Sequence, residues 1–146
     1  MNQQIPSAAM QPNEAGTPWR ALLADDHTMV REALSQMLER LDPALQMRQA
    51  KNVDEVLAIL RAEAGFALLL LDYHMPGMDG VRTVEQMRRE FPQLPIGIIT
   101  GYVSSEEVEP LIAAGCIGVF PKAMSGPSLL MAIKLAMSGQ AYVPWS

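Results

Sequence analysis

The chain has 146 residues, 49% of them hydrophobic, and a formal net charge of −5. That length suits one domain with a full core, and the acidic balance argues against unaided binding to nucleic acid or an anionic membrane. No apolar run approaches the roughly 20 residues of a membrane helix, and the single cysteine, Cys116, excludes an internal disulfide and fits a reducing cytoplasm.

Residues 1–18 are polar and proline-containing, without the basic and apolar regions of a signal peptide, and read as a disordered tail. Trp19 to Ala24 is a short apolar run that ends at Asp25-Asp26. Val30, Ala33, Leu34, Met37, Leu38 and Leu41 then recur at helical spacing. Ala44 to Ala50 mixes apolar and polar residues, as an edge strand does. Val53, Val56, Leu57 and Leu60 form a second helix, closed by Gly65. Phe66 to Leu71 is apolar on both faces, the sign of a central strand in a covered parallel sheet. Val81, Val84, Met87 and Phe91 mark a third helix, Pro95 to Thr100 a fourth strand and Ile117 to Phe120 a fifth. Leu129, Leu130, Ile133, Ala136 and Met137 mark the last helix. The eleven methionines fall mostly on apolar faces and read as core filling.

Between Thr100 and the fifth strand, Ser104-Ser105-Glu106-Glu107 can form a capping box. Pro110 has no N–H for the carbonyl of Glu106, a cost of roughly 3 kcal/mol inside a helix. The expectation is a short helix from Pro110, preceded by a loose loop from Ser104 to Glu109 that reorders on switching.

Strands alternating with helices predict an α/β domain with one parallel sheet. Ligands bind such sheets beyond the carboxyl ends of the strands. The strand ends carry Asp25-Asp26, Asp72, Thr100 and Lys122. Singly, each has an ordinary explanation: a helix cap, a turn residue, a surface lysine. Together they place three carboxylates, a hydroxyl and an ammonium on one edge. Clustered carboxylates repel unless a cation compensates, and Mg²⁺ suits hard oxygen donors. A carboxylate beside Mg²⁺ is a nucleophile toward phosphorus. Metal, lysine and hydroxyl can then meet the three phosphoryl oxygens.

The motifs "LLADDH", "LLLLDYHMPGMDG", "GIITGY" and "AAGCIGVFPKAMS" resemble the receiver domain of two-component response regulators, in its NarL/LuxR-type subgroup. The resemblance covers Trp19 to about Val143. It implies a flavodoxin-like doubly wound sheet of five parallel strands, order 2-1-3-4-5, with five helices. It implies that Asp72 accepts a phosphoryl group from a histidine kinase, and that Thr100 and Lys122 assist. Asp25, Asp26, Asp72 and the backbone carbonyl of His74 would hold Mg²⁺. It further implies a signalling switch and not an enzyme, cytoplasmic, pairing with a second copy through the first and last helices. The output would be transcription through a helix-turn-helix domain absent from this chain, with residues 144–146 opening the linker. One departure is Val119, where many receivers carry a mobile aromatic three residues before the lysine. Phe120 should face the other way. His27 and His74 are expected to rim the pocket, with His74 and Tyr102 flanking the route of an attacking water. A zinc site on these histidines is disfavoured, because the local ligands are hard oxygens. Two other readings are a haloacid dehalogenase-type phosphatase and a pseudo-receiver that only binds partners. The phosphatase requires an acid where His74 stands and metal acids late in the chain. The pseudo-receiver is opposed by the full complement of site residues.

Overall fold

The computed structural model describes residues 16–144. The tail expected over residues 1–18 therefore lies largely outside the described residues, as do 145 and 146. Five strands alternate with five helices: β1 (Trp19–Ala24), α1 (Thr28–Leu41), β2 (Leu45–Ala50), α2 (Val53–Ala62), β3 (Phe66–Asp72), α3 (Gly80–Glu90), β4 (Ile96–Thr100), α4 (Ser105–Ala113), β5 (Gly118–Pro121) and α5 (Gly126–Met137). All strand pairs are parallel, in the order β2-β1-β3-β4-β5. This is the expected fold.

The leucine run explains the layering. Side chains alternate across a strand, so Leu69 and Leu71 enter one core while Leu68 and Leu70 enter the other. The first core lies under α2, α3 and α4, the second under α1 and α5. All four leucines are buried. Val119 and Phe120 divide between the two cores, so the two residues face opposite ways as expected. Phe120 is fully buried because two glycines, one on the neighbouring β4 and one on β5 itself, leave its ring room. A Cβ on Gly97 would lie 2.9 Å from its ring, and one on Gly118 2.7 Å.

After α5 the chain returns to the sheet. Tyr142 makes a parallel bridge with Gly118, through Val119 N–H to Tyr142 O (3.0 Å) and Tyr142 N–H to Ile117 O (3.0 Å). The Tyr142 ring stacks on Phe120 at 5.4 Å with 10° between planes. At the amino edge of the sheet, Glu63 pairs with Arg20 (2.6 Å) and Arg48 (2.7 Å), and Arg20 covers the ring of Phe66. Cys116 is buried, and burial pushes its thiol up to about 12.

Several expectations need correction. The break at Pro110 does not occur: α4 runs unbroken from Ser105 to Ala113 with Pro110 inside it. The Glu107 carboxylate closes the N-terminus, accepting both the amide (2.9 Å) and the hydroxyl (3.0 Å) of Ser104. Val108 and Leu111, either side of the proline, are buried. Two such side chains are worth about 1.5–3 kcal/mol each, enough to outweigh the proline's cost of roughly 3 kcal/mol. Pro110 itself is exposed, so water can satisfy the carbonyl it leaves unbonded. The α1 stripe is narrower than its periodicity implies: Leu34 and Leu38 are buried, whereas Val30 is 40% and Leu41 42% exposed. The methionines, by contrast, mostly pack as expected among the described residues: Met75 and Met87 are buried, and Met37, Met47, Met78, Met124 and Met137 lie partly buried against the two cores, whereas Met29 is 84% and Met131 65% exposed. Gly65, at φ +91°, lies in the loop beyond α2 and does not cap it; the helix ends at Ala62.

Pro110→Ala restores the missing donor on an exposed helix face. Unfolding in urea should show a gain of about 1–2 kcal/mol; a loss would mean that the proline's rigidity outweighs its missing bond.

Candidate functional site

Register brings the site together. Ala24 of β1 lies opposite Leu71 of β3, so Asp25 follows at the level of Asp72. Asp72 in turn lies opposite Ile99 of β4, one residue before Thr100, and Thr100 lies opposite Pro121 of β5, one residue before Lys122. Backbone bonds extend the alignment past the strand ends, with Asp25 N–H to Ala50 O (3.0 Å), Tyr73 N–H to Ile99 O (3.1 Å) and Lys122 N–H to Thr100 O (2.8 Å). Asp25, Asp72 and Thr100 are buried.

Lys122 Nζ lies 2.8 Å from Asp25 Oδ2 and 3.2 Å from Asp72 Oδ2. Burial of Asp25 raises its pKa, but Lys122 and the amide of His27 (2.9 Å) overrule it, and the group titrates below the ordinary range. Asp72 goes the other way. Burial raises it, the charge of Asp25 adds to that, and the amide of His74 (3.2 Å) and Lys122 only partly compensate. Burial works to lower the Lys122 pKa, and the two carboxylates hold it above the usual value. Two buried acids thus share one ammonium, and one of them is left strained toward its neutral form.

Asp25 Oδ2 is buried and lies close to Lys122, yet has no hydrogen-bond partner of good direction. Asp25, Asp26, His27 and Asp72 each offer a ligand atom, and these atoms lie within 4.8 Å of one another. An unsatisfied buried oxygen among hard oxygen donors fits a divalent cation such as Mg²⁺. His74 joins the site through its amide to Asp72, while its ring Nε2 contacts Tyr102 O at 3.0 Å. Thr100 is turned aside: its hydroxyl donates to Tyr102 O (2.8 Å) and accepts from Tyr102 N–H (3.2 Å).

His27 stands at the rim as expected, its side chain 67% exposed, and the structure adds that its Nδ1 lies 3.4 Å from an oxygen of both Asp25 and Asp26. It also opens α1 without any side-chain cap bond. Its adjacency to the acid pair was the available signal, but a helix start does not reveal which way its first side chain points.

A profile of the response regulator receiver domain matches residues 21–134. The nitrate/nitrite response regulator protein NarP of Escherichia coli is 35% identical over 124 residues, 84% of this chain and 57% of that protein. The transcriptional regulatory protein LiaR of Bacillus subtilis is 31% identical over 121 residues, 83% of this chain and 57% of that protein. The chain therefore spans little more than half the length of these relatives. Among solved structures, a CheY-like receiver domain protein from Methanospirillum hungatei superposes with a TM-score of 0.74 at 28% identity, covering 85% of this chain and 97% of that one.

The strained carboxylate gives a pH-dependent test on the metal-free protein. The folded pKa of Asp72 is raised, so its contribution favours folding below the unfolded pKa and is lost as pH rises through the folded one. At neutral pH its ionised form is a burden. Asp72→Asn should therefore be more stable than the parent at pH 7 by on the order of 1 kcal/mol. The gain should shrink toward pH 4, as followed by urea unfolding across pH. A constant difference would mean that Lys122 fully neutralises Asp72.

Proposed function

The chain belongs to the response regulator receiver domain family, the phosphorylation-dependent switches of two-component signalling, and from that premise we propose that Asp72 is its phosphoacceptor. Receiver domains are phosphorylated by histidine kinases and bind Mg²⁺ at an acidic pocket. The observation that carries the reading is the single Lys122 ammonium held between two buried carboxylates at the strand tips. Asp72 supplies the attacking oxygen; its bond to phosphorus forms as the phosphohistidine N–P bond breaks. The arriving phosphoryl group gives the ammonium a new partner, so Lys122 exchanges its contact with Asp72 for a phosphoryl oxygen. Asp25, Asp26, Asp72 and the carbonyl of His74 are the groups we assign to Mg²⁺, which supplies positive charge to the transferring group. Thr100 donates to the phosphoryl group once its hydroxyl leaves Tyr102.

The receiver unit is inferred to run from Trp19, which opens β1, to Val143, which packs on the core. No described helix is long and apolar enough to cross a membrane; a cytoplasmic location is proposed from the likeness to receiver domains. Its output is proposed to be transcription through a helix-turn-helix domain beyond this chain; both curated relatives named above are regulators by name. The chain alone is not assigned nucleic-acid binding. The phosphatase reading is not favoured.

Pairing with a second copy is assigned to α1 and α5. Leu41, Pro127, Leu130, Met131 and Leu135 line an apolar groove of about 550 Å³ there. Met131 and Leu135 are 65% and 49% exposed. Both sides of a two-fold pair use the same patch, and an exposed apolar groove on two adjacent helices suits one.

Incubation with Mg²⁺ and acetyl phosphate should add one phosphoryl group by intact mass to the parent and none to Asp72→Asn. Equal labelling of both would overturn the assignment. In analytical ultracentrifugation of the phosphorylated protein, Met131→Glu should weaken self-association by about tenfold without changing the fold. A strict monomer in the parent would remove α1 and α5 as a pairing surface.

A further inference from the structure

Three aromatic rings near the carboxyl edge of β3, β4 and β5 differ in freedom. Phe120 is locked, fully buried against Gly97 and Gly118 and stacked on Tyr142. Tyr73 packs on the first core and meets the His74 ring edge-on at 5.0 Å. Tyr102 is loose, with 72% of its surface exposed.

Tyr102 stands at the lip of a cavity of about 190 Å³, lined also by Thr100, Val103, Val119, Pro121 and Pro144. Val119, a small buried side chain on the first-core face of β5, forms part of its wall. A dry apolar cavity of about 150 Å³ accepts a benzene ring, so this one is large enough for a tyrosine ring. An exposed aromatic beside an apolar hole of its own size gains by entering it, and something must hold it out. The carbonyl of Tyr102 accepts from Thr100 Oγ1 at 2.8 Å and meets His74 Nε2 at 3.0 Å, and the Tyr102 amide donates to Thr100 Oγ1 at 3.2 Å. Two of these three ties use the Thr100 hydroxyl.

We propose that this cavity is the binding site of the Tyr102 ring in the phosphorylated protein. The inference rests on the reading of Asp72 and Thr100 given above. When the Thr100 hydroxyl turns to the phosphoryl group it releases both its bonds to Tyr102. The ring then enters over Val119 and closes against Pro144, with its hydroxyl left at the mouth, where water can bond it. Pro144 follows directly on Tyr142 and Val143, the segment bridged to β5. Ring entry therefore adds contact to that segment and tightens it on the sheet edge, carrying the state of the site to whatever follows α5. The moving aromatic comes from the β4–α4 loop, and β5 contributes part of the cavity wall.

The full chain holds three tyrosines, so 3-fluorotyrosine labelling gives three fluorine resonances, each assignable by a Tyr→Phe variant. Spectra are taken in water and in heavy water with Mg²⁺, before and after saturation with beryllofluoride. Bound beryllofluoride is itself visible by fluorine resonance, and Asp72→Asn serves as the control lacking the acceptor. The Tyr102 resonance should lose its solvent isotope shift on saturation. The amide of Tyr142 should exchange at least about threefold more slowly. Val119→Phe, which fills the cavity, should leave Tyr102 exposed with beryllofluoride bound, and Val119→Leu should do so in part should the larger ring disturb folding. Bound beryllofluoride with Tyr102 still exposed in the parent would overturn the inference alone. Failure of beryllofluoride to bind would overturn the acceptor reading, and this inference with it.

Discussion

One ammonium between two buried carboxylates is the constraint from which the rest of the site follows. Asp25 and Asp72 sit on adjacent strands at the same level, because β1 and β3 are paired in parallel register. Neither can reach bulk water, and both cannot ionise beside each other without a counter-charge. Lys122 supplies it from the far side of the sheet, two strands from Asp72. Its position depends on β5 being short and on its amide bonding to Thr100. A cluster held this way is poised, since one positive charge spread over two acids leaves room for more positive charge or for a group that reclaims the lysine. The buried oxygen of Asp25 without a well-directed partner is the same shortage seen in a hydrogen-bond inventory.

The rigidity that holds the cluster comes from the leucines of β3. Four consecutive residues facing alternate cores leave the strand no face on which to slip, so its tip is a fixed point. The loop after β4 is the reverse: Gly101 and Tyr102 are exposed and tied mainly through one hydroxyl. Fixed and movable parts of the site thus lie on neighbouring strands. The acid end of β3 cannot adapt to a ligand, and the end of β4 can.

The sheet and the carboxyl-edge cluster were legible because they rest on short apolar runs buried on both faces and on polar residues at the ends of those runs. Phe66 to Asp72 shows both. The unbroken α4 was not legible, because the local cost of Pro110 is visible in the sequence, whereas the burial of Val108 and Leu111 is a tertiary gain. The α1 stripe misled for a related reason. Val30 and Leu41 have the right spacing, but spacing gives the direction of a side chain and not what lies opposite it. His27 was placed at the rim correctly, but its approach to both acids was not legible, because its ring position depends on the turn between β1 and α1. The cavity over Val119 was out of reach altogether, since one small residue in a strand marks a void only when its neighbours are placed.

Cys116 has a practical consequence for spectroscopy of this domain. It is the chain's one cysteine, and burial holds its thiol almost wholly protonated at neutral pH. A second cysteine introduced at the surface, on the β4–α4 loop or the exposed side of α5, would carry nearly all the thiolate. Maleimide or spin labels can then be placed at one chosen position without removing Cys116 and leaving a hole in the first core.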